Sequence, residues 1–437
     1  MTLVDRNILL GKIGEKIEQN HFVCNKDECD CFESIKEELK YSILSHRWGY
    51  NEVTFRHFQL LHEELVRIEE SSQARETMTI SEKLHLLRRN APLADVPSNA
   101  SLVKLVNFLR VSSERQIKYV WADTICINKD SSAELDESIR SMFAWYRDSH
   151  ICVVYLGQTD HYVDMERDAW FTRGWTLQEL LAPKRLAFYS SSWMQITSGD
   201  SDKSPVYWAR IGDRRQRRGG GEASGEELLW PHLAKITGIE AEDLHNFQPG
   251  LYDVGKRMTW ASKRKTTRIE DTAYCLIGMF DVNLSIAYGE KERAFYRLQV
   301  EILQNSDDMT LFDWEGEAST YNSMLAASPN HFSNPLGLRM DQSTLADGES
   351  SFMLTNVGIR TSLVVHQIDR YAVRPSWKLP GATAFSILGE SSQPGHHVIM
   401  ILGKAGDHRR QYRRLKLISD KLDLLSYKKV PEVILIK

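Results

Sequence analysis

Long apolar runs are missing from this chain. Nowhere do eighteen consecutive apolar residues occur, so no membrane-spanning helix is expected. Cysteine is sparse: 6 copies in 437 residues do not make a disulfide framework, and a reducing, intracellular home is the expectation. The N-terminal stretch MTLVDRNILLGKIGEKIEQN mixes charged with apolar residues and lacks a signal-peptide core. Excess charge of one sign is also absent. A formal net charge of −4 gives no support for nucleic acid as a partner. Neither G-x-x-x-x-G-K-[ST] nor a strand-anchored G-x-G-x-x-G occurs, which argues against a nucleotide triphosphatase. No G-x-S-x-G elbow occurs, which weakens a serine hydrolase.

What is present is ordinary for a globular protein, with 42% hydrophobic and 26% charged residues. The length predicts two or three domains. Tyr41–Ser45 predicts a strand, followed by His46-Arg47-Trp48-Gly49, where Gly49 permits a tight turn. The proline-bearing stretch 90–100 predicts a loop, and Leu102–Arg110 a helix. Lys118–Ile127, KYVWADTICI, predicts a second strand ending in a polar Asn128-Lys129-Asp130 loop. Ser131-x-x-Glu134 is a capping box, and Leu135, Ile139, Met142, Phe143 and Tyr146 share one face of the helix behind it. Ile151–Leu156, ICVVYL, is a short continuous apolar run suited to a buried parallel strand. This alternation of strand and helix predicts a doubly wound α/β domain, whose ligands bind beyond the carboxyl ends of the strands. RLAFYSSSW, after Pro183, reads as a further strand.

Composition then shifts. Residues 198–225 are polar and glycine-rich, and Arg214–Gly221 reads as a flexible loop. Helical patterns follow at Glu226–Thr237, Asp253–Ser262, Glu270–Met279 and Glu290–Gln304, with a second capping box at Thr267-x-x-Glu270. From about Thr320 short strands are expected at Phe352–Leu354, Leu363–Ile368, Ala384–Leu388 and His397–Leu402.

Several residues could carry chemistry. His21, Cys24, Cys29 and Cys31 cluster, but C-x4-C-x-C is a poor zinc pattern, and no metal is expected. Cys126 and His46 could pair as nucleophile and base, yet a thiol inside an apolar strand is more often an inert packing group. The Arg214–Arg218 run has flanking acids and no interleaved aromatics, as a solvated loop would. Ser45, His46, Arg47 and Asp123 gather at predicted strand ends, and Glu179 stands in the apolar segment RGWTLQELLAP. Each also has a structural role open to it: Asp123 could cap a turn or pair with Arg47, and Glu179 could pair with Arg173.

The blocks YSILSHRWG, VWADTICINKDSSAELDESIRSMFAWYRDSHICVVYLG and RGWTLQELLAP together resemble the fungal heterokaryon-incompatibility (HET) domain over roughly Tyr41 to Trp193. RMTWASKRKTTRIEDTAYCLIGMFDVNLSIAYGEKERAFYRLQVEIL is similar to an extension found in many fungal members. The resemblance implies a cytoplasmic fungal protein of non-self recognition and regulated cell death. A more distant resemblance is to Toll/interleukin-1 receptor (TIR) domains. Leu44–Gly49 matches their LSFRG-like turn, Trp121–Thr124 their FIDD-like strand end, and Arg173–Leu180 their S-x-W-C-L-x-E-L block, with Thr176 at the cysteine position. His46 and Trp48 have no strict counterparts there.

That second resemblance implies that Glu179 is the catalytic residue of NAD(P) cleavage, with Ser45, His46, Arg47, Trp48, Asp123 and Trp175 around the substrate. NAD is then a substrate, and no cofactor is expected. It also implies a homo-oligomer on activation, with a non-self protein as a candidate trigger. The alternative is a non-enzymatic signalling module acting by homotypic assembly. The expected architecture is a TIR-like (flavodoxin-like) α/β domain over residues 1–200 with a mostly parallel sheet and flanking helices. A helical extension over 201–315 and a small β-rich module over 316–437 would follow.

Overall fold

Tyr41–His46, YSILSH, is the strand around which the first unit is built, with its last five residues buried. The computed structural model describes residues 2–3, 39–60, 63, 100–198, 210–211, 227–338, 352–368, 375–405, 410–421 and 432–437. The N-terminal His and Cys cluster and the Arg214–Gly221 loop lie outside the described residues. The chain divides into two compact units, residues 1–171 with 179–247, and residues 172–178 with 248–437.

The first unit holds a five-stranded sheet of β1 (Thr2–Leu3), β2 (Tyr41–His46), β3 (Tyr119–Trp121), β4 (Ile151–Tyr155) and β5 (Leu186–Tyr189), in the order β1-β3-β2-β4-β5. Every pairing is parallel. Such sheets need cover on both faces, which is why ICVVY reads as continuous hydrophobicity. On one face, Leu44, Val153 and Ala187 pack with Leu102, Leu105, Phe108 and Val111 of helix α1 (Ala100–Glu114). Through the opposite face, Trp121 meets Trp145 and Tyr146 of helix α3 (Ser132–Arg147), and Phe188 meets Trp170 edge-on.

The four longer strands run β3-β2-β4-β5, which is 2-1-3-4 in chain order. The chain therefore leaves β2 to one side and returns to its other side at β4. The carboxyl ends of β2 and β4 flank a topological switch point, where doubly wound sheets bind ligands.

Three local expectations need correction. The strand expected over Lys118–Ile127 stops at Trp121, and Asp123–Cys126 coil into a helical turn, α2. The Ile125 and Cys126 amides donate back to the Ala122 carbonyl, so Asp123 opens a helix instead of continuing a strand. Short apolar runs satisfy both periods, which is why the sequence misleads here. The first capping box forms by half: Ser131 accepts from the Glu134 amide, but Glu134 accepts from the Asn128 amide. The second does not form, because Glu270 Oε1 accepts from the amides of Gly289 and Lys291.

The remaining first-unit elements are a three-stranded ribbon, β6 (Thr197–Ser198), β7 (Arg210–Ile211) and β8 (Glu227–Leu228), and helices α5 (Leu229–Thr237) and α6 (Ala241–Asn246). Helix α4 (Thr176–Leu181) precedes β5, and the unit boundary falls within it.

The second unit joins helices α7 (Val254–Ser262), α8 (Asp271–Tyr274), α9 (Ile277–Phe280) and α10 (Arg293–Asn305) to a seven-stranded sheet. Its strands are β9 (Met353–Thr355), β10 (Gly358–Leu363), β11 (Val365–Gln367), β12 (Ala382–Glu390), β13 (His396–Lys404), β14 (Gln411–Lys421) and β15 (Glu432–Ile436). The sheet is antiparallel except where β14 meets β15. Strand β14 escapes a sequence reading because its inward positions include a charge. Arg414 is buried, and its guanidinium stacks 3.6 Å from the Trp314 ring and donates to the carbonyls of Phe312 and Trp314.

Candidate functional site

Successive residues of β2 face opposite sides of the sheet. Ser42 turns to α1, where its hydroxyl meets that of Ser112 at 2.6 Å. Ser45 therefore turns to the other face, and its hydroxyl donates to Glu179 Oε2 over 2.5 Å. Both side chains are buried, Ser45 at 0% and Glu179 at 8% exposure. Leu180 and Leu181 are fully packed beside the carboxylate in sequence, and the Cys152 thiol of β4 lies 3.9 Å from the Glu179 carbonyl.

Two residues that the sequence did not mark as site candidates complete this cluster. The fully buried Trp170 donates its indole N–H to Ser45 Oγ over 2.8 Å. Tyr146 of α3 directs its hydroxyl at the Leu44 carbonyl, 3.1 Å away, and also hydrogen-bonds Glu179. Burial, then the charge of Glu179, push this phenol well above its usual pKa, so it remains a proton donor.

Trp170 is held by the loop after β4. Asp168 is buried and accepts from the Trp170 amide through Oδ1. Its Oδ2 accepts from the Gln158 amide and the Thr159 hydroxyl at 2.8 and 3.1 Å. Gln158 and Thr159, just after β4, thus brace the loop that carries the indole.

The other candidates at the strand ends separate into two environments. His46 is buried at 4% exposure, while Arg47 is exposed. Trp48 is 37% exposed, donates its indole N–H to Asp123 Oδ2 over 2.8 Å, and carries the Lys129 ammonium 3.4 Å above its ring. Asp123 therefore pairs with Trp48 and not with Arg47. Gly49 does not adopt a left-handed backbone, and its amide donates to Glu52 Oε1. Cys126 lies on α2, with its Sγ accepting from the Ala122 amide at 3.4 Å.

The segment preceding Glu179 belongs to the second unit. Trp175 hydrogen-bonds the Asp271 carboxylate there. Gly174 donates to the Lys265 carbonyl, the Lys265 amide donates to Thr172, and Arg264 donates to the Arg173 carbonyl and the Thr176 hydroxyl. A side chain at Gly174 would collide with the Thr266 methyl, which explains the glycine of this motif. Among the described residues no group of His, Cys, Asp and Glu could hold a metal ion, and no helix is long and apolar enough to cross a membrane.

Residues 41–168 match the model of the family described as Heterokaryon incompatibility protein (HET). Over that span the chain is similar to HET proteins. The matched span includes Ser45, Asp123 and Tyr146 and ends before Trp170 and Glu179. The chain is also 41% identical over 211 residues to the vegetative incompatibility protein HET-E-1 of Podospora anserina. That similarity covers 45% of this chain and 13% of the relative's length. No solved structure matches the chain.

Proposed function

We propose that this protein is a cell-death effector of fungal non-self recognition that cleaves NAD(P) between nicotinamide and ribose, with Glu179 as the catalytic carboxylate. The observation that carries this reading is the buried Glu179 carboxylate beside Ser45, at the carboxyl end of β2, next to the switch point. The HET match and the name of the relative support the setting. The resemblance of Arg173–Leu180 to the TIR block supports the chemistry and a TIR-like site.

The chemistry asks for little else. The bond from the ribose carbon to the nicotinamide nitrogen breaks with its electron pair leaving on nicotinamide, a neutral product that needs no general acid. Positive charge then develops on the ribose, as in glycoside hydrolysis. A fixed carboxylate stabilises that charge, and apolar walls strengthen the effect. Water then attacks the ribose carbon and a proton is released, giving ADP-ribose, or its 2′-phosphate from NADP. We also propose that the site becomes competent on homotypic assembly, with a non-self protein as trigger. The protein is read as cytoplasmic.

A second reading has its own observation. At 8% exposure and with a serine donor, Glu179 also meets the requirements of a purely structural carboxylate in a non-enzymatic signalling module. Nicotinamide release by purified protein, compared with Glu179→Gln, separates the two.

A further inference from the structure

We propose that Trp170 and Ser45 form a one-way hydrogen-bond relay that fixes the orientation and the ionised state of the Glu179 carboxylate, with both residues positioning that group and neither touching substrate. The direction of the relay follows from its outer member. An indole N–H can only donate, so Ser45 Oγ must accept from Trp170. The one hydroxyl proton of Ser45 is then left for Glu179 Oε2, 2.5 Å away. A donor aimed at a carboxylate favours its charged form.

Burial gives the relay its importance. Ser45 and Trp170 are both 0% exposed, so neither hydrogen bond competes with solvent. The indole is fixed in turn, because Asp168 holds its backbone amide and the rings of Phe171 and Phe188 meet it edge-on. The relay thus runs from the loop after β4, through the end of β2, to α4. It lies on one face of the sheet, at the strand pair that flanks the switch point. Ser45, expected from sequence among the substrate contacts, has its hydroxyl committed inside the protein.

The titratable groups beside the cluster include the buried His46, next to Ser45 in the chain, and Asp168, which holds the Trp170 amide. Tyr146 of α3 interacts with Glu179 itself, with Cys152 of β4 and with Asp123 of α2. The phenol stays protonated and adds no competing charge, and its single proton is shared between the Leu44 carbonyl and Glu179. A change in the titration of Glu179 on removing the relay then reports the relay.

Two readouts test this, one of which does not depend on the proposed activity. The first is the protonation midpoint of the Glu179 carboxyl in the full chain, from infrared difference spectra against Glu179→Gln. Ser45→Ala and Trp170→Phe should each raise it, by about one pH unit for the serine variant. The second rests on the NAD reading: Trp170→Phe should lower kcat about tenfold with KM little changed. In the Ser45→Ala background, Trp170→Phe should add almost no further loss, because the relay is already cut. A packing role would persist in that background. An unchanged midpoint, or additive losses, would overturn the proposal. If the wild-type chain releases no nicotinamide, the NAD reading fails while the infrared readout still decides the relay. Should Trp170→Phe fold poorly, Ser45→Ala retains the aromatic packing and decides the same question.

Discussion

Ser45 and Glu179 stand 134 positions apart in the chain, and the hydroxyl of one donates to the carboxylate of the other over 2.5 Å. Two features of the fold produce this meeting. The pleat of β2 turns Ser45 away from α1, and α4 delivers Glu179 to that same face. A carboxylate only 8% exposed is costly to bury without donors. The donors are supplied by strand and helix side chains, and this makes the orientation of Glu179 a property of the whole first unit.

Asp123 makes a different prediction from the one its sequence context suggests. As a strand residue it would have been central, whereas as the first residue of a short helical turn its side chain accepts from the Trp48 indole. Asp123→Ala should cost about 1 kcal/mol or less in urea unfolding. Its clearer effect should be a red shift and weaker quenching protection of Trp48 fluorescence. A stability loss several times larger would show that Asp123 supports the sheet.

Glu52 and Lys104 form an ion pair at 2.6 Å, with side chains 8% and 7% exposed. Burial pushes the Glu52 pKa up, but the Lys104 charge and the donors Gly49 and Ser101 outweigh it, and the net direction is below the ordinary 4.5. A carboxylate with a depressed folded pKa contributes stability that is present above its unfolded value and is lost as pH falls through the folded one. Stability measured against pH should therefore fall below about pH 4.5, and this part of the fall should disappear in Glu52→Gln. Lys104→Met removes the opposite charge from a buried carboxylate and should cost on the order of 3 kcal/mol at pH 7. Identical acid profiles for wild type and Glu52→Gln would contradict this.

Arg414 anchors the second unit through two carbonyls, those of Phe312 and Trp314. A lysine there keeps the charge but loses the planar fork and the stacking on Trp314. Arg414→Lys should destabilise by about 2 kcal/mol, and the thermal midpoint of the second unit should drop accordingly. No change in that midpoint would mean the carbonyls are served from elsewhere.

Assembly should be visible in concentration dependence. A competent state that is weakly populated in the monomer rises with local concentration. Specific nicotinamide release should climb with protein concentration, in parallel with light scattering. Full activity at dilutions where only monomer scatters would leave a self-contained site.

Much of the first unit is legible in the sequence, for physical reasons that also explain the gaps. ICVVYL announces a doubly covered strand because every residue must be apolar. The α3 stripe of Ile139, Met142, Phe143 and Tyr146 is legible because one helical face meets the core. Asp123 is misread because VWADTICI suits either period until the Ala122 carbonyl closes a turn. Trp170 is not legible at all: its role exists only once Ser45 is beside it, 125 residues away in the chain. Arg414 hides a strand by placing a charge at an inward position, which becomes acceptable only through carbonyls about 100 residues earlier. Glu179 was legible as a candidate, since a carboxylate within an apolar segment demands partners.

The measurement that bears most directly on the central claim is nicotinamide release from NAD by the purified full chain, wild type beside Glu179→Gln. The account predicts release by the wild type and a loss of at least about a hundredfold in the variant. It also predicts a thermal midpoint that changes little, since the amide keeps the shape and one acceptor for Ser45. No release by the assembled wild type would contradict the account. So would a variant that loses stability while keeping its activity per folded molecule, because Glu179 would then be a structural carboxylate only.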